Sequence, residues 1–239
     1  MNSLTACRPG ARRLVVIPAF NEADTVGGVV RAARMAAHAD VLVINDGSTD
    51  ATAQEARDAG ARVLSPPVQL GAWGATQTGL RYAVRHGYRQ VVSMDGDGQH
   101  DAANLPMLFA ALDGVTADVV IGACEARLSP ARRLAWGWFR LLSGLPVRDL
   151  TSGLRAYGPH AIEVLASARA SLLEYQDLGV LMLAADHGLT LREVPATMSP
   201  RQSGVSRIFS SWPTVARYMV ATSVLCLARM GKSRGRRTP

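Results

Sequence analysis

Cysteine is scarce in this 239-residue sequence. Cys7, Cys124 and Cys226 are odd in number and scattered, and none has the close partner that a disulfide framework or a zinc site requires. That usage fits a reducing cytosol. Long hydrophobic runs are also missing. A spanning helix needs roughly 18 or more uninterrupted apolar residues, and the nearest candidate, Tyr218 to Ala228 between Arg217 and Arg229, is too short to cross comfortably. No apolar run precedes the first strand, so the N-terminus with Arg8, Arg12 and Arg13 does not read as a secretory signal. The glycine fingerprint of a dinucleotide site is absent as well, because Pro18, Ala19 and Phe20 stand where its glycines should follow the first strand. Aromatic residues make up only 5% of the chain, and the 19 Asp and Glu are outnumbered by 26 Lys and Arg, for a net charge of +7. The excess gathers at Arg127, Arg132, Arg133, Arg140 and Arg148 and again from Arg229 through Arg237, a pattern suited to phosphates, acidic lipid surfaces or nucleic acid. No motif that reads RNA or DNA accompanies it, which counts against a nucleic-acid-binding module.

What remains is ordinary material for one α/β domain: 48% hydrophobic residues, 19% charged, and enough length for a sizeable core. After a leader covering residues 1–12, an apolar strand at Leu14–Ile17 stops at Pro18, and Asn21 or Asp24 can cap a helix running to about His38. A second strand at Val41–Ile44 leads through "NDGSTD" into a helix ending near Ala59. "ARVLS" is a third strand, "LGAWGATQTGLRYAVRHG" a glycine-punctuated helix, and "ADVVIGA" a fifth strand. Strands that are apolar throughout and alternate with helices predict a mostly parallel sheet covered on both faces. Beyond residue 126, "RLSPARRLAWGWFRLLSGLPVRD" reads as a cationic, tryptophan-bearing amphipathic helix. Two readings are open for it: a helix lying in a membrane interface, or one packed on the sheet with its arginines solvated. Helices near Ala161–Ser167 and Glu174–Asp186, a strand "TLREVPA" and a polar loop "SPRQSGVSR" complete the body.

The fourth strand, Val91–Met94, ends in Asp95-Gly96-Asp97-Gly98-Gln99-His100. Ligands of open α/β sheets bind beyond the carboxyl ends of the strands, so both aspartates are placed to meet one. Neighbouring carboxylates repel unless a cation or proton lies between them, and hard oxygen donors favour Mg²⁺ or Mn²⁺. Gln99 can add a neutral oxygen. A hairpin turn would demand a second strand where "NLPMLFAAL" reads as a helix. A calcium loop would demand glycine at His100 and glutamate at Pro106. Asp101 and Asn104 read as caps of the following helix, and His100 as a hydrogen-bonded structural histidine.

"PAFNE", "INDGSTD", "LGAWGATQTGL", "MDGDGQH", "DLTSGLRAYG" and "REVPATMSPRQSGVSR", in this order, resemble the family 2 inverting glycosyltransferases of the GT-A (Rossmann-like) fold. The likeness runs from about Leu14 to Arg207 and is greatest to the dolichyl-phosphate mannosyltransferase-like branch. The resemblance implies a GT-A domain over residues 1–207, followed by an amphipathic helix and basic tail over 208–239. It implies transfer of a sugar from a nucleotide diphosphate, of GDP-mannose or UDP-glucose type, to a polyprenyl phosphate at the cytoplasmic membrane face, with peripheral contact to anionic lipid.

Carried over by position, Pro18, Ala19, Asn21, Glu22, Asp46 and Gly71 line the donor pocket, with Asp46 at the base or ribose. Asp95, Asp97 and Gln99 hold the nucleotide and its divalent cation. Asp149, Ser152 and Arg155 match the acceptor-side segment together with Thr151 and Gly153. Arg201 and Ser206 match a phosphate clamp, with Arg207 in place of the usual lysine, and Arg132 and Arg133 help hold the acceptor head group. The implied catalytic pair is Asp97 and Arg201. Gln69 and Trp73 replace an expected asparagine and glycine, which narrows the donor pocket. The serine–arginine pair usual after the fifth strand is missing from "IGACEARL", where Arg127 is a candidate substitute. A phosphate acceptor, with a second pKa of about 6, needs no strong base. A soluble hydroxyl acceptor, the alternative, would need one, and Glu174 and Asp177 are the candidates.

Overall fold

The computed structural model describes residues 12–113, 117–124, 130–173, 178–199 and 223–224, with residues 130–135 described by backbone alone. In chain order the elements are β1 (Arg13–Ala19), α1 (Ala23–Ala37), β2 (Asp40–Asn45), α2 (Thr52–Asp58), β3 (Arg62–Leu64), α3 (Gly71–His86), β4 (Gln90–Ser93), α4 (Leu105–Asp113), β5 (Val119–Ala123), α5 (Pro130–Ser143), β6 (Arg155–Tyr157), α6 (Pro159–Ala166), α7 (Leu178–Asp186) and β7 (Leu191–Pro195). They build one seven-stranded sheet in the order β3-β2-β1-β4-β6-β5-β7. All neighbouring pairs are parallel except those of β6, which runs antiparallel to both β4 and β5.

Strand alternation decides what each face buries. Leu14, Val16, Leu42, Ile44 and Val91 point to the layer formed by α3, α5, α6 and α7. Val15, Ile17, Val43, Val92 and Val120 point to α1, α2 and α4. Helix α1 answers with Val26, Val29, Val30, Ala33 and Ala37, all on one stripe at helical spacing. Among the larger side chains, Phe109 and Phe139 are almost wholly removed from water, and each contributes about 1.5–3 kcal/mol.

The fold departs from the sequence reading in three places. Strand β1 does not stop at Pro18: it continues to Ala19, with Pro18 in register opposite Ile44 and Ala19 opposite Asn45. Neither Asn21 nor Asp24 caps α1, whose N-cap is Glu22 with no side-chain capping bond. Strand β6 was not expected. It is three residues long and carries an arginine, and it becomes a strand because its backbone fills the slot between β4 and β5.

Helix α5 packs on the body through Trp136 and Phe139, while Trp138 (50% exposed) and Leu141 (77%) face outward. No helix among the described residues is long and apolar enough to cross a membrane. The region expected to form the C-terminal helix and tail lies outside the described residues apart from 223–224, where Trp138 Nε1 donates to Ser223 Oγ at 3.4 Å.

At the opposite end of the sheet from the aspartate turn, Tyr88 donates its hydroxyl to Asp40 at 2.5 Å. Burial first, and then that hydrogen bond, push the Tyr88 hydroxyl up to about 12. The folded state therefore holds this proton more tightly than the unfolded chain. Its contribution to stability is complete below the ordinary value of 10.0 and is lost as pH rises from there to about 12. Thermal midpoints measured across that window should fall, and a Tyr88→Phe variant should lack this part of the decline.

Candidate active site

Strands β1, β2 and β3 run to one side of the sheet and β4 begins the other, so the chain order reverses between β1 and β4. Such a switch point opens a crevice at the carboxyl ends of the two strands. Pro18 and Ala19 finish β1 on one side of it, and Asp95, Gly96 and Asp97 leave β4 on the other. The two are stitched together, since the Thr25 hydroxyl at the start of α1 donates to Gly96 O at 2.8 Å.

The loops after β1 and β2 form one hydrogen-bonded body. Asn21, in the left-handed region with φ 54°, donates its amide to Ser48 Oγ at 3.0 Å and accepts the Thr49 amide on Oδ1 at 2.8 Å. The Glu22 amide donates to Thr52 Oγ1 at 2.8 Å. Asp50 accepts the Ala23 amide at 3.2 Å, the Thr52 amide at 3.0 Å and the Thr52 hydroxyl. Its slight burial, which acts to raise the carboxyl pKa, is outweighed by these bonds from Thr52 and Ala23, which together lower it. Reading the residues one by one missed Asp50 and Thr25. The Asp50-Ala51-Thr52 spacing, an acceptor two residues before a helix start, carried the signal for the first; nothing local marks Thr25.

Asp46 is 4% exposed and accepts the Leu70 amide at 2.6 Å and the Gly71 amide at 2.8 Å, one on each carboxylate oxygen. It anchors the N-terminus of α3, where an anion is favoured by the exposed amides and the helix dipole. Gly71 begins that helix at φ +74°, a conformation that glycine adopts without strain. Trp73 does not narrow the pocket. It is 2% exposed, part of the core beneath α3, and donates Nε1 to Ala170 O at 2.7 Å.

The aspartate turn is internally braced. The Gln99 amide donates to Asp97 Oδ1 at 3.0 Å, and the Asp95 amide to His100 Nδ1 at 2.9 Å. Asp97 is 8% exposed, whereas the Asp95 side chain is 45% exposed and open to the crevice. Asp101 accepts the Ala103 amide at 2.9 Å, as its reading as a cap required. Asn104 instead reaches across to Thr197, donating to its carbonyl at 2.9 Å and accepting its amide at 3.1 Å.

The Asp149–Gly153 segment closes the far side. Ser93 Oγ donates to Gly153 O at 2.8 Å, and a methyl group on Gly153 would stand 2.8 Å and 3.0 Å from the two Asp95 oxygens. The segment thus touches the carboxylate, and only glycine allows the approach. Asp149, Ser152 and Arg155 support it from within: all three are buried. Asp149 Oδ1 accepts the Thr151 and Ser152 amides, Ser152 Oγ donates to Gly122 O at 2.6 Å, and Arg155 Nη2 donates to Leu150 O at 2.9 Å. All three side chains are thus enclosed, and these hydrogen bonds hold the segment itself. Glu193 on β7 adds a further brace, accepting the Arg148 and Asp149 amides at 2.5 and 2.6 Å.

The expected contacts of Arg132 and Arg133 fall on side chains outside the description, and Arg201, Ser206, Arg207, Arg127, Glu174 and Asp177 lie outside the described residues. The last described residue before Arg201 sits on the aspartate turn, where the Ser199 amide donates to Gln99 O at 2.8 Å.

Two carboxylates and an amide oxygen at one strand end are a hard donor set that fits Mg²⁺ or Mn²⁺. Such ions are ordinarily held by one or two carboxylates together with substrate phosphates, not by an all-protein cage. The described residues contain no group of three His, Cys, Asp or Glu that could hold a metal ion by themselves.

A single α/β domain with a mixed, mostly parallel sheet and an acidic turn at its switch point is the architecture of the GT-A fold. Residues 14–173 match glycosyl transferase family 2, and the chain belongs to that family; it is a glycosyltransferase. It is 30% identical over 232 residues to the polyprenol monophosphomannose synthase of Mycolicibacterium smegmatis, covering 90% of this chain and 87% of that protein. It is 31% identical over 219 residues to the undecaprenyl-phosphate mannosyltransferase of Micrococcus luteus, covering 82% and 87%. A UDP-N-acetylglucosamine–dolichyl-phosphate N-acetylglucosaminyltransferase of Methanococcus voltae is 26% identical over 210 residues, covering 76% and 83%. Among solved structures, the glucosyl-3-phosphoglycerate synthase of Mycobacterium tuberculosis, in complex with Mn²⁺, UDP and phosphoglyceric acid, shares the fold with a TM-score of 0.68 at 23% identity, covering 91% of this chain and 78% of that one.

Proposed function

We propose that this chain is a metal-dependent inverting glycosyltransferase that moves a sugar from a nucleoside-diphosphate donor to a polyprenyl phosphate at the cytoplasmic face of a membrane. The observation that carries the reading is the Asp95-Gly96-Asp97 turn at the switch point, with the Asp149–Gly153 segment pressed against Asp95. Support for the acceptor comes from the two mannosyltransferases above, alike over more than four-fifths of this chain. Support for the cation comes from the donor set of the turn.

In this reading the loops after β1 and β2 seat the nucleoside against Pro18, Ala19, Asn21, Glu22 and Asp46, and Gly71 lets the backbone pass close to it. Asp95, Asp97 and Gln99 hold the cation, which when bound stabilises the charge that gathers on the leaving diphosphate. Arg201 and Ser206 clamp phosphate, and Arg132 and Arg133 hold the acceptor head group; guanidinium groups suit both tasks through paired hydrogen bonds. An acceptor phosphate oxygen attacks the anomeric carbon as the bond to the diphosphate breaks on the opposite face, which inverts the centre. The acceptor arrives ionised, so no residue needs to remove a proton. Trp138 and Leu141, exposed on α5 beside exposed Arg140, support peripheral contact with anionic lipid.

Calorimetric titration of GDP, UDP and their sugar conjugates with Mn²⁺, Mg²⁺ or EDTA tests the donor site. One nucleotide should bind tightly and lose that binding in EDTA. Transfer assays with the preferred donor should then label polyprenyl phosphate in vesicles and leave a water-soluble alcohol untouched. Efficient transfer to the alcohol would replace the lipid acceptor with a hydroxyl, and nucleotide binding indifferent to EDTA would remove the cation.

A further inference from the structure

We propose that His100 is a positioning residue for the cation turn, holding the Asp95 amide through Nδ1. The inference rests on the donor-site reading above. The Asp95 amide lies 2.9 Å from His100 Nδ1. An amide N–H can only donate, so Nδ1 offers its lone pair and the ring proton sits on Nε2. The His100 side chain has no exposed surface, so water does not compete for that lone pair.

The ring addresses the backbone of Asp95 and not its carboxylate. Nδ1 stands 3.7 Å from Asp95 Oδ2, beyond hydrogen-bond reach, and the carboxylate stays open to the crevice. Fixing the amide of the residue that leaves β4 fixes the direction in which its side chain departs. The backbone that carries the ring is itself held, since His100 forms an antiparallel bridge with Met198 and its neighbour Gln99 accepts the Ser199 amide on its carbonyl. It is therefore a strut between the turn and the segment that leads on to Arg201. His100 Nε2 is buried and has no hydrogen-bond partner among the described residues. Buried polar atoms usually have one, so the Nδ1 bond is the polar contact that orients this ring.

Two variants separate this role from simple filling of space. In His100→Asn the side-chain oxygen takes the place of Nδ1 and can still accept the Asp95 amide. In His100→Gln the amide group is carried out toward the place of Nε2 and leaves Asp95 unanswered. With Mn²⁺ present, His100→Asn should keep most of the wild-type affinity for the preferred nucleoside diphosphate. His100→Gln should lose about 10- to 100-fold, the usual effect of removing a group behind a metal ligand. In EDTA the two variants should differ little. Equal Mn²⁺-dependent affinities for the two variants, or wild-type affinity in His100→Gln, would overturn the proposal.

A second measurement needs no ligand and no variant. Two-bond ¹⁵N–¹H correlations of the histidine side chains should place the His100 proton on Nε2, and a proton on Nδ1 would overturn the assignment outright. If the wild-type protein bound no nucleotide at all, the donor-site reading would fail. The tautomer would still decide the role of His100, together with exchange of the Asp95 amide, slow in wild type and fast in His100→Gln.

Discussion

Replacing Asp97 by asparagine is expected to lower kcat/KM for sugar transfer by about 10²–10³-fold, the scale of removing one preorganised group that meets developing charge. The fold should survive. Asp97 Oδ1 accepts the Gln99 amide at 3.0 Å, and the asparagine oxygen can accept it equally well, so the turn keeps its internal brace. What is lost is the negative charge, in a site where the carboxylate is 8% exposed and poorly screened. Steady-state kinetics with the preferred donor should show the loss in both kcat and KM. Calorimetry should show that Mn²⁺ no longer strengthens nucleotide binding, while the thermal midpoint stays close to wild type. Turnover at the wild-type rate in this variant would refute the role of Asp97 at the leaving group.

The parts of this molecule that the sequence made legible are those in which one residue type serves one local purpose. The middles of strands β1, β2 and β5 are continuous runs of Val, Ile and Leu because both faces of a mostly parallel sheet are covered, and the acidic turn stands out because acids directly follow the short apolar stretch that ends in Met94. Other parts depend on partners far away in the chain. Strand β6 shows no apolar period and is a strand through its pairing with β4 and β5, both distant in the chain. Trp73 occupies a position where the family pattern suggested a pocket wall, yet its indole is satisfied by a carbonyl 97 residues away. Glu193 holds the Arg148 and Asp149 amides across 45 and 44 residues. No window of sequence contains both ends of such contacts.

The same distinction separates naming the candidate site from understanding its geometry. Asp95, Asp97, Asn21 and Asp46 were visible as polar residues after strands, but their hydrogen bonds divide the labour among them. Asn21 locks two loops together, and Asp46 secures the start of α3. Asp95 keeps its carboxylate directed outward while its amide is occupied. Much of the acidic and amide chemistry around the crevice therefore preorganises the backbone, while the Asp95 carboxylate stays exposed.

That carboxylate makes Gly153→Ala the most diagnostic single-methyl change. The added carbon would sit 2.8 Å from Asp95 Oδ1 and 3.0 Å from Oδ2, closer than such contacts permit. The nearest obstacles are the far end of a rotatable side chain, so the fold can relieve the clash by turning Asp95 aside at little cost in stability. The site cannot. A carboxylate displaced by roughly 1 Å no longer meets the cation and diphosphate in productive geometry, and misplacement on that scale can cost about 10²-fold in rate. We expect Gly153→Ala to unfold near the wild-type temperature and to lose about two orders of magnitude in kcat/KM, with weakened Mn²⁺-dependent nucleotide binding. A variant that unfolds many degrees lower would mean that the backbone had yielded instead. Unchanged kinetics would mean that the Asp149–Gly153 segment stands away from Asp95 in the working enzyme, and that the acceptor side of the crevice is built from other residues.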